Sequence, residues 1–439
     1  MIFRPAPADK ILMSNLVASG AAAMDCANTD ETARGVGYLA RQPILDRRGA
    51  VFGYELHFHD LPGQAPADGL SAASRGMLDS LALYGVQRFT GGVWGFVPCS
   101  LDVLAGALLE GLPPSLVVLE VPRCPEVSPP LLQQCRRLRE MGFRLALSDF
   151  EPDDERHALL PLAHYIKVGV SAIDSPGWIR ICSALHHSNA ILIADGVHSH
   201  DAYRRARAGG LRYFQGYYFC HPELFPRGTV PTDRAHYLGI LRELFKDPLD
   251  HKTLCPEVRR DPSLVFRVLR FVNSPLCAVR DPITSMETAI VLLGDTTFRR
   301  IATLAIQCGL NQDHPPELLR MAQVRAHFCS RAAELCSLDA EEMYLLGLLS
   351  LLPAMLRVPM ETILPDLPLR SEIRHALAGT QVAGAQVKER CLLSWLEALE
   401  TNDIAACEAV AATHALDNKR IAEIYLNAVE EVARDAMLS

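Results

Sequence analysis

The feature that most constrains this sequence is a change of hydrophobic period part-way along it. From Tyr38 to about Phe219, short apolar runs recur between helical stretches, at 51–58, 93–97, 116–121, 143–147, 165–170 and 190–194. Strand-like runs alternating with helices specify a layered α/β domain. Several runs end on or beside a polar residue (Glu120, Asp149, Lys167, Asp195, Gln215), the place where a parallel barrel builds its sites. After Pro222, Pro226, Gly228 and Pro231 the strand-like runs stop. Apolar residues then follow helical spacing, as in Met286, Ala289, Ile290, Leu293 and again in Phe298, Ile301, Ala302, Ala305. The pattern predicts an α/β domain over 36–226 and an all-α domain over 233–439.

Composition narrows the function classes. A chain of 439 residues is too long for one compact core, and 49% hydrophobic with 21% charged residues is a globular balance. A net charge of -8 and a pI near 6.0 remove the basic footprint that phosphate-backbone binding needs, so no nucleic-acid partner is expected. The thirteen cysteines form no CxxC pair and no Cys/His cluster, which argues against a disulfide framework or a zinc module and for a reducing, cytoplasmic setting. Residues 1–35 read as an Ala-rich extension. The apolar stretch at 11–24 falls short of the roughly 20 residues that span a bilayer, and no membrane insertion is expected.

Within the run 51–58, alternation predicts Phe52, Tyr54, Leu56 and Phe58 on one face and Val51, Glu55 and His57, with His59 beyond, on the other. His57 and His59 with Glu55 could chelate a transition metal, with Lys167 and His198 completing a hydrolase site. The simpler reading makes them polar residues at a barrel mouth, and the metal assignment is none.

The motifs around these residues are specific. Gln42-Pro43-Ile44 and Tyr54-Glu55-Leu56 are followed in order by Leu119-Glu120-Val121, Leu147-Ser148-Asp149-Phe150, Ile166-Lys167-Val168, Ala194-Asp195-Gly196-Val197 and Tyr213-Phe214-Gln215-Gly216-Tyr217. The series resembles the signatures of EAL-type cyclic-di-GMP phosphodiesterases over about 185 residues. It implies a TIM-like (β/α)8 barrel, and in active members carboxylates and one Asn at strand ends hold two dications that activate water. Glu55 and Glu120 match those ligands. Pro98 stands at the Asn position, Ser148 and Gly169 replace two aspartates, Asp195 and His198 replace two glutamates, and His59 replaces a phosphate-contacting arginine. The segment Glu151-Pro152-Asp153-Asp154 adds negative charge beside them.

Arg260-Asp261-Pro262-Ser263-Leu264, then Leu269-Arg270-Phe271-Val272-Asn273-Ser274-Pro275, resemble the opening of HDOD domains, which look like HD phosphohydrolases without their chemistry. Asp261-Pro262 predicts a helix start, Asn273-Ser274-Pro275 a helix stop and Gly294 another helix end. Where an HD enzyme carries its His-Asp pair, this chain has Gly347-Leu348-Leu349, within an apolar run 345–352 read as one fully buried helix. His327, without partners in the sequence, is given no role.

The order of the two halves resembles the YuxH-like EAL/HDOD proteins. The resemblance implies a regulatory protein with a degenerate barrel, no catalytic residues beyond vestigial Glu55, Glu120, Asp149 and Lys167, and no cofactor. Expected partners are signalling or regulatory proteins or a second copy of the chain. A non-hydrolysing cyclic-di-GMP receptor using Gln42, Glu55, Lys167, Asp195 and Gln215 stays open, as does residual phosphodiesterase activity.

Overall fold

The short, mostly buried apolar runs form eight strands that close into a barrel in chain order. They are β1 (Tyr38–Asp46), β2 (Val51–His59), β3 (Trp94–Pro98), β4 (Val117–Val121), β5 (Arg144–Leu147), β6 (Tyr165–Gly169), β7 (Ile191–Asp195) and β8 (Tyr213–Gln215). The computed structural model describes residues 38–59, 78, 81, 85–106, 108–151, 153–173, 176–186, 188–221, 232–273, 283–382 and 385–438. The expected extension 1–35, the proline cluster from Pro222 to Pro231, Pro152 and Ser274-Pro275 lie outside these residues. The expected barrel is present, with one departure from a regular (β/α)8 pattern. β1 runs antiparallel to both neighbours, β2 and β8, and a tight turn rather than a helix joins β1 to β2.

The strict alternation expected along β2 fails at its start. Ile44 faces Gly53 but Leu45 faces Val51, so Phe52 is the extra residue of a β-bulge. Phe52 therefore turns into the barrel, stacked on Tyr213 at 4.1 Å between ring centroids and edge-on to Tyr165, whereas Val51 packs outside. Gly53 permits this. A Cβ there would stand 2.6 Å from the Trp94 carbonyl oxygen of β3. With Ile44, Phe96, Val118, Ala146 and Ile193, these aromatics plug the lower barrel, leaving the upper half to polar side chains.

The helical half begins with Thr232–Leu244 and continues through helices to Asn418–Leu438. Asp261 accepts from Ser263 N and Leu264 N and caps the helix Pro262–Val272, as its sequence predicts. Asn273 ends that helix, donating to the Leu269 carbonyl and bonding both backbone groups of Ile283. Gly294, at φ 74, breaks Met286–Leu310. The run 345–352 is not a single helix: Ala340–Leu349 ends before Ser350 and Leu352–Leu356 starts anew, with Leu345 half-buried. No single helix among the described residues is long and apolar enough to cross a membrane.

Because no helix links β1 to β2, the outer face of that hairpin needs another cover, and the helical half supplies it. Tyr54, fully buried, donates from its hydroxyl to Glu317 Oε2 at 2.7 Å and accepts from Arg320 Nη1 at 2.7 Å. Arg41 lies over the Tyr54 ring, and the Tyr217 hydroxyl donates to the Arg41 carbonyl. Gly49, at φ 80 in the hairpin turn, is so close to Pro315 that a Cβ would meet its ring at 3.1 Å. One apolar cluster accordingly runs from Leu45, Phe214 and Tyr217 through Leu241 and Phe328 to Val432.

Candidate functional site

Above the aromatic plug, inward positions of five strands form one linked polar cluster around a buried lysine. Lys167 on β6, 1% exposed, reaches Glu55 Oε2 of β2 at 2.7 Å and contacts Glu120 Oε1 of β4. Gln215 on β8 donates to Gln42 Oε1 on β1 at 2.7 Å and to Glu55 Oε2. Lys167 also lies 5.3 Å from the centroid of the Phe96 ring, a favourable cation–π position. Gln42, Glu55, Glu120, Lys167 and Gln215 are thus brought together as the sequence expects.

The electrostatics follow from one cation between two buried carboxylates. Burial works against ionised Glu55, but Lys167 and then His57 outweigh it and hold this carboxyl below its ordinary range. Glu120 goes the other way, raised by burial and by the charge on Glu55. Burial opposes a charged Lys167, yet Glu120, Glu55 and Asp195 keep it protonated well above the usual lysine range. Burial likewise opposes protonated His57, and Glu55, 3.4 Å away, reverses that and raises it.

The remaining expected residues are more loosely placed. Asp195 ends β7 beside Gly169, its Oδ1 accepting from Gly196 N at 2.7 Å, and burial raises its carboxyl despite Lys167. Asp149, left-handed at φ 49 beyond β5, acts on Asp195 through space and is not a partner of Lys167. His57 and His59 do not converge. His57 turns to Glu55, while His59 Nε2 bonds Asn402 Oδ1 of the helical half at 2.7 Å. Among the described residues no group of three or more His, Cys, Asp or Glu side chains is arranged to hold a metal ion.

The acidic loop after β5 requires a correction. Its carboxylates are matched by arginines: Glu151 by Arg123 at 2.6 Å, Asp153 by Arg180 at 3.0 Å and Asp154 by Arg156 at 2.6 Å. The last pair is fully buried. Arg156 also donates to the carbonyls of Val121 and Ser148, tying the loop to the ends of β4 and β5. The loop therefore adds little net negative charge to the mouth. Sequence reasoning missed Arg156 because nothing in its spacing marks a fully buried guanidinium.

In the helical half, Leu348 and Leu349 are fully buried, and the Leu348 carbonyl accepts from Gln307 Nε2. His327 pairs with Glu431 at 3.2 Å and lies edge-on to Tyr344.

The HDOD domain family matches residues 230–367. The uncharacterized protein YuxH of Bacillus subtilis (strain 168) is 28% identical over 404 residues, covering 90% of this chain and 97% of that protein. Cyclic di-GMP phosphodiesterase CdgJ of Vibrio cholerae serotype O1 is 28% identical over 352 residues, covering 77% of this chain and 80% of that protein. Among solved structures, an EAL domain protein from Listeria monocytogenes EGD-e is similar at 21% identity and a TM-score of 0.35, over 42% of this chain and 86% of that one. With its EAL-type motifs on a closed barrel, an HDOD match in its helical half and relatives that run through both, this chain is an EAL/HDOD two-domain protein.

Proposed function

We propose that this chain works in cyclic-di-GMP signalling as a catalytically silent regulatory scaffold, offering surfaces of both halves to signalling or regulatory proteins. The observation that carries this reading is the shortage of carboxylates at the strand ends. Glu55 and Glu120, which match the ligands of the resembled family, share the single positive charge of Lys167. Metal-assisted phosphodiester hydrolysis needs oxygen ligands around each cation. Pro98, Ser148 and Gly169, at or just beyond the ends of β3, β5 and β6, supply no carboxylate, so the residues present fit such a cation pair poorly. In the helical half, buried Leu348 and Leu349 offer no ligand at all.

Two specific observations keep other readings in play. CdgJ is named a cyclic di-GMP phosphodiesterase and is related through both halves, which favours residual metal-dependent hydrolysis. The linked Gln42, Gln215 and Glu55 side chains, with Lys167 and Asp195 beside them, favour a receptor that holds the nucleotide without cutting it.

Titrating the intact protein with cyclic-di-GMP in the presence of manganese, following heat and linear product together, separates the three. The scaffold reading expects neither signal at about 100 μM ligand. Heat without product selects the receptor, and turnover abolished by Glu55→Ala selects the phosphodiesterase. A gain-of-ligand variant tests the same logic. A Cβ at Gly169 would meet nothing nearer than 3.7 Å, so Gly169→Asp is sterically tolerated. Combined with Pro98→Asn and Ser148→Asp, it is expected to confer manganese-dependent thermal stabilisation absent from the parent.

A further inference from the structure

Two thiols in the helical half are in direct contact. Cys336 closes the 3-10 turn Ala333–Cys336, which follows directly on the helix Pro316–Ala332, and Cys391 lies in the first turn of the helix Arg390–Glu400. The two are 55 residues apart in sequence, yet their Sγ atoms are 3.4 Å apart. A disulfide bond is about 2.05 Å long, so closure takes little more than 1 Å of movement. The turn that carries Cys336 is suited to give it, since it ends at exposed, left-handed Ser337.

We propose that Cys336 and Cys391 form a reversible oxidation site that closes to an intramolecular disulfide in response to hydrogen peroxide.

Either thiol can donate to the other sulfur, so the contact favours one thiolate in the pair. Lys388 favours that thiolate on Cys336, which makes Cys336 the attacking sulfur and Cys391 the resolving one. Cys336 thiolate attacks one peroxide oxygen, the O–O bond breaks, and the leaving hydroxide takes up a proton, giving Cys336 sulfenic acid and water. Cys391 sulfur then attacks the sulfenic sulfur, the S–O bond breaks, and the thiol proton leaves with the hydroxyl as a second water. Two electrons pass from the two sulfurs to one peroxide.

Both cysteines are buried, at 4% and 1% exposure, and a buried thiol is ordinarily inert. Access here needs only the end of a helix to loosen, because Ser337 and Lys388 on either side are exposed. The position of the site gives the bond a consequence. The helices it would join are already linked by Arg325 and Glu400 at 2.5 Å. The first holds Tyr54 of β2 through Glu317 and Arg320, and the second packs against β1. Oxidation would fasten the layer that covers the barrel hairpin.

The test is peptide mapping of the full-length protein after peroxide treatment, with free thiols alkylated in denaturant before trypsin digestion. The expected result is a linked pair of peptides, 332–357 with 391–419, two hydrogen masses lighter than the sum of the first and the second alkylated at Cys407 alone. Alkylation of both cysteines should be lost and then restored by dithiothreitol. The link should vanish in Cys336→Ser and in Cys391→Ser and persist in Cys182→Ser, which removes an exposed thiol. Full alkylation of Cys336 and Cys391 under conditions that oxidise Cys182 would overturn the proposal. A link that survives in Cys336→Ser, joining Cys391 to another thiol, would overturn it too. Mapping the parent protein needs no substitution, so a variant that misfolds does not blunt the test.

Discussion

The barrel and the helical half fill their interiors in opposite ways. At the barrel centre polar groups are buried together: Lys167 contacts both Glu55 and Glu120, all three out of solvent. In the helical half, Gly347, Leu348 and Leu349 pack as apolar core. A closed ion network cannot be dismantled one residue at a time, because removing one member leaves its partners buried and uncompensated. An apolar interior can drift as long as volume is conserved. The difference makes the lysine and the two glutamates depend on one another for stability, whatever their chemistry.

The comparison breaks most visibly at Lys167. Lys167→Ala should destabilise the protein by about 3–5 kcal/mol, read as a lower urea midpoint. Replacing Lys167, Glu55 and Glu120 together by Met, Gln and Gln should cost far less; equal losses in the two variants would sink the compensation argument. Next in size is Gly347→Ala. The added Cβ would lie 2.4 Å from the Arg325 carbonyl oxygen and 2.7 Å from Ala326 Cα, so two helix backbones must separate. A loss of about 1–3 kcal/mol is expected, and a neutral result would show that the interior is looser than its close approach suggests.

Tyr54→Phe sharpens the comparison at the seam between the halves. It removes the hydroxyl from buried Glu317 but leaves Arg320 paired with that carboxylate, so about 1–2 kcal/mol should be lost in thermal or urea unfolding.

The smallest effect is a pH dependence of the barrel mouth. His57 is raised from 6.5, so its contribution is complete below that pH and fades as pH climbs through the raised value. Glu55 is lowered from 4.5, so its contribution is complete above that pH and fades as pH falls through the lowered value. The His57–Glu55 pair should therefore be strongest between these limits. The imidazole proton shifts of His57 should titrate above pH 6.5 in the parent and fall back in Glu55→Gln; an unchanged midpoint there would remove the pair from the account.

Much of this organisation is legible in the sequence because it is local. Strand spacing, the Asp261 cap and the break at Gly294 depend on neighbours in the chain, and the ordered motifs place Glu55, Glu120, Lys167 and Gln215 at one end of one barrel. What escapes reading is non-local or irregular. The Phe52 bulge is invisible because alternation runs equally well through either register. The arginines that neutralise the acidic loop, Arg123, Arg156 and Arg180, lie on both sides of it in the chain, and no spacing rule pairs them. Tyr54 and Glu317 are separated by 263 positions, so nothing local marks them as partners.

Tyr54 and Glu55 are consecutive residues on one strand, the first held by the helical half and the second by the lysine at the barrel centre. Side chains that alternate across a strand make such a wall one peptide thick. A partner that levers the helix Pro316–Ala332 away from the hairpin would therefore tug on the same strand that anchors the central carboxylate. Strain would pass through a single Cα–Cα step, without a moving loop or a diffusing messenger to carry it.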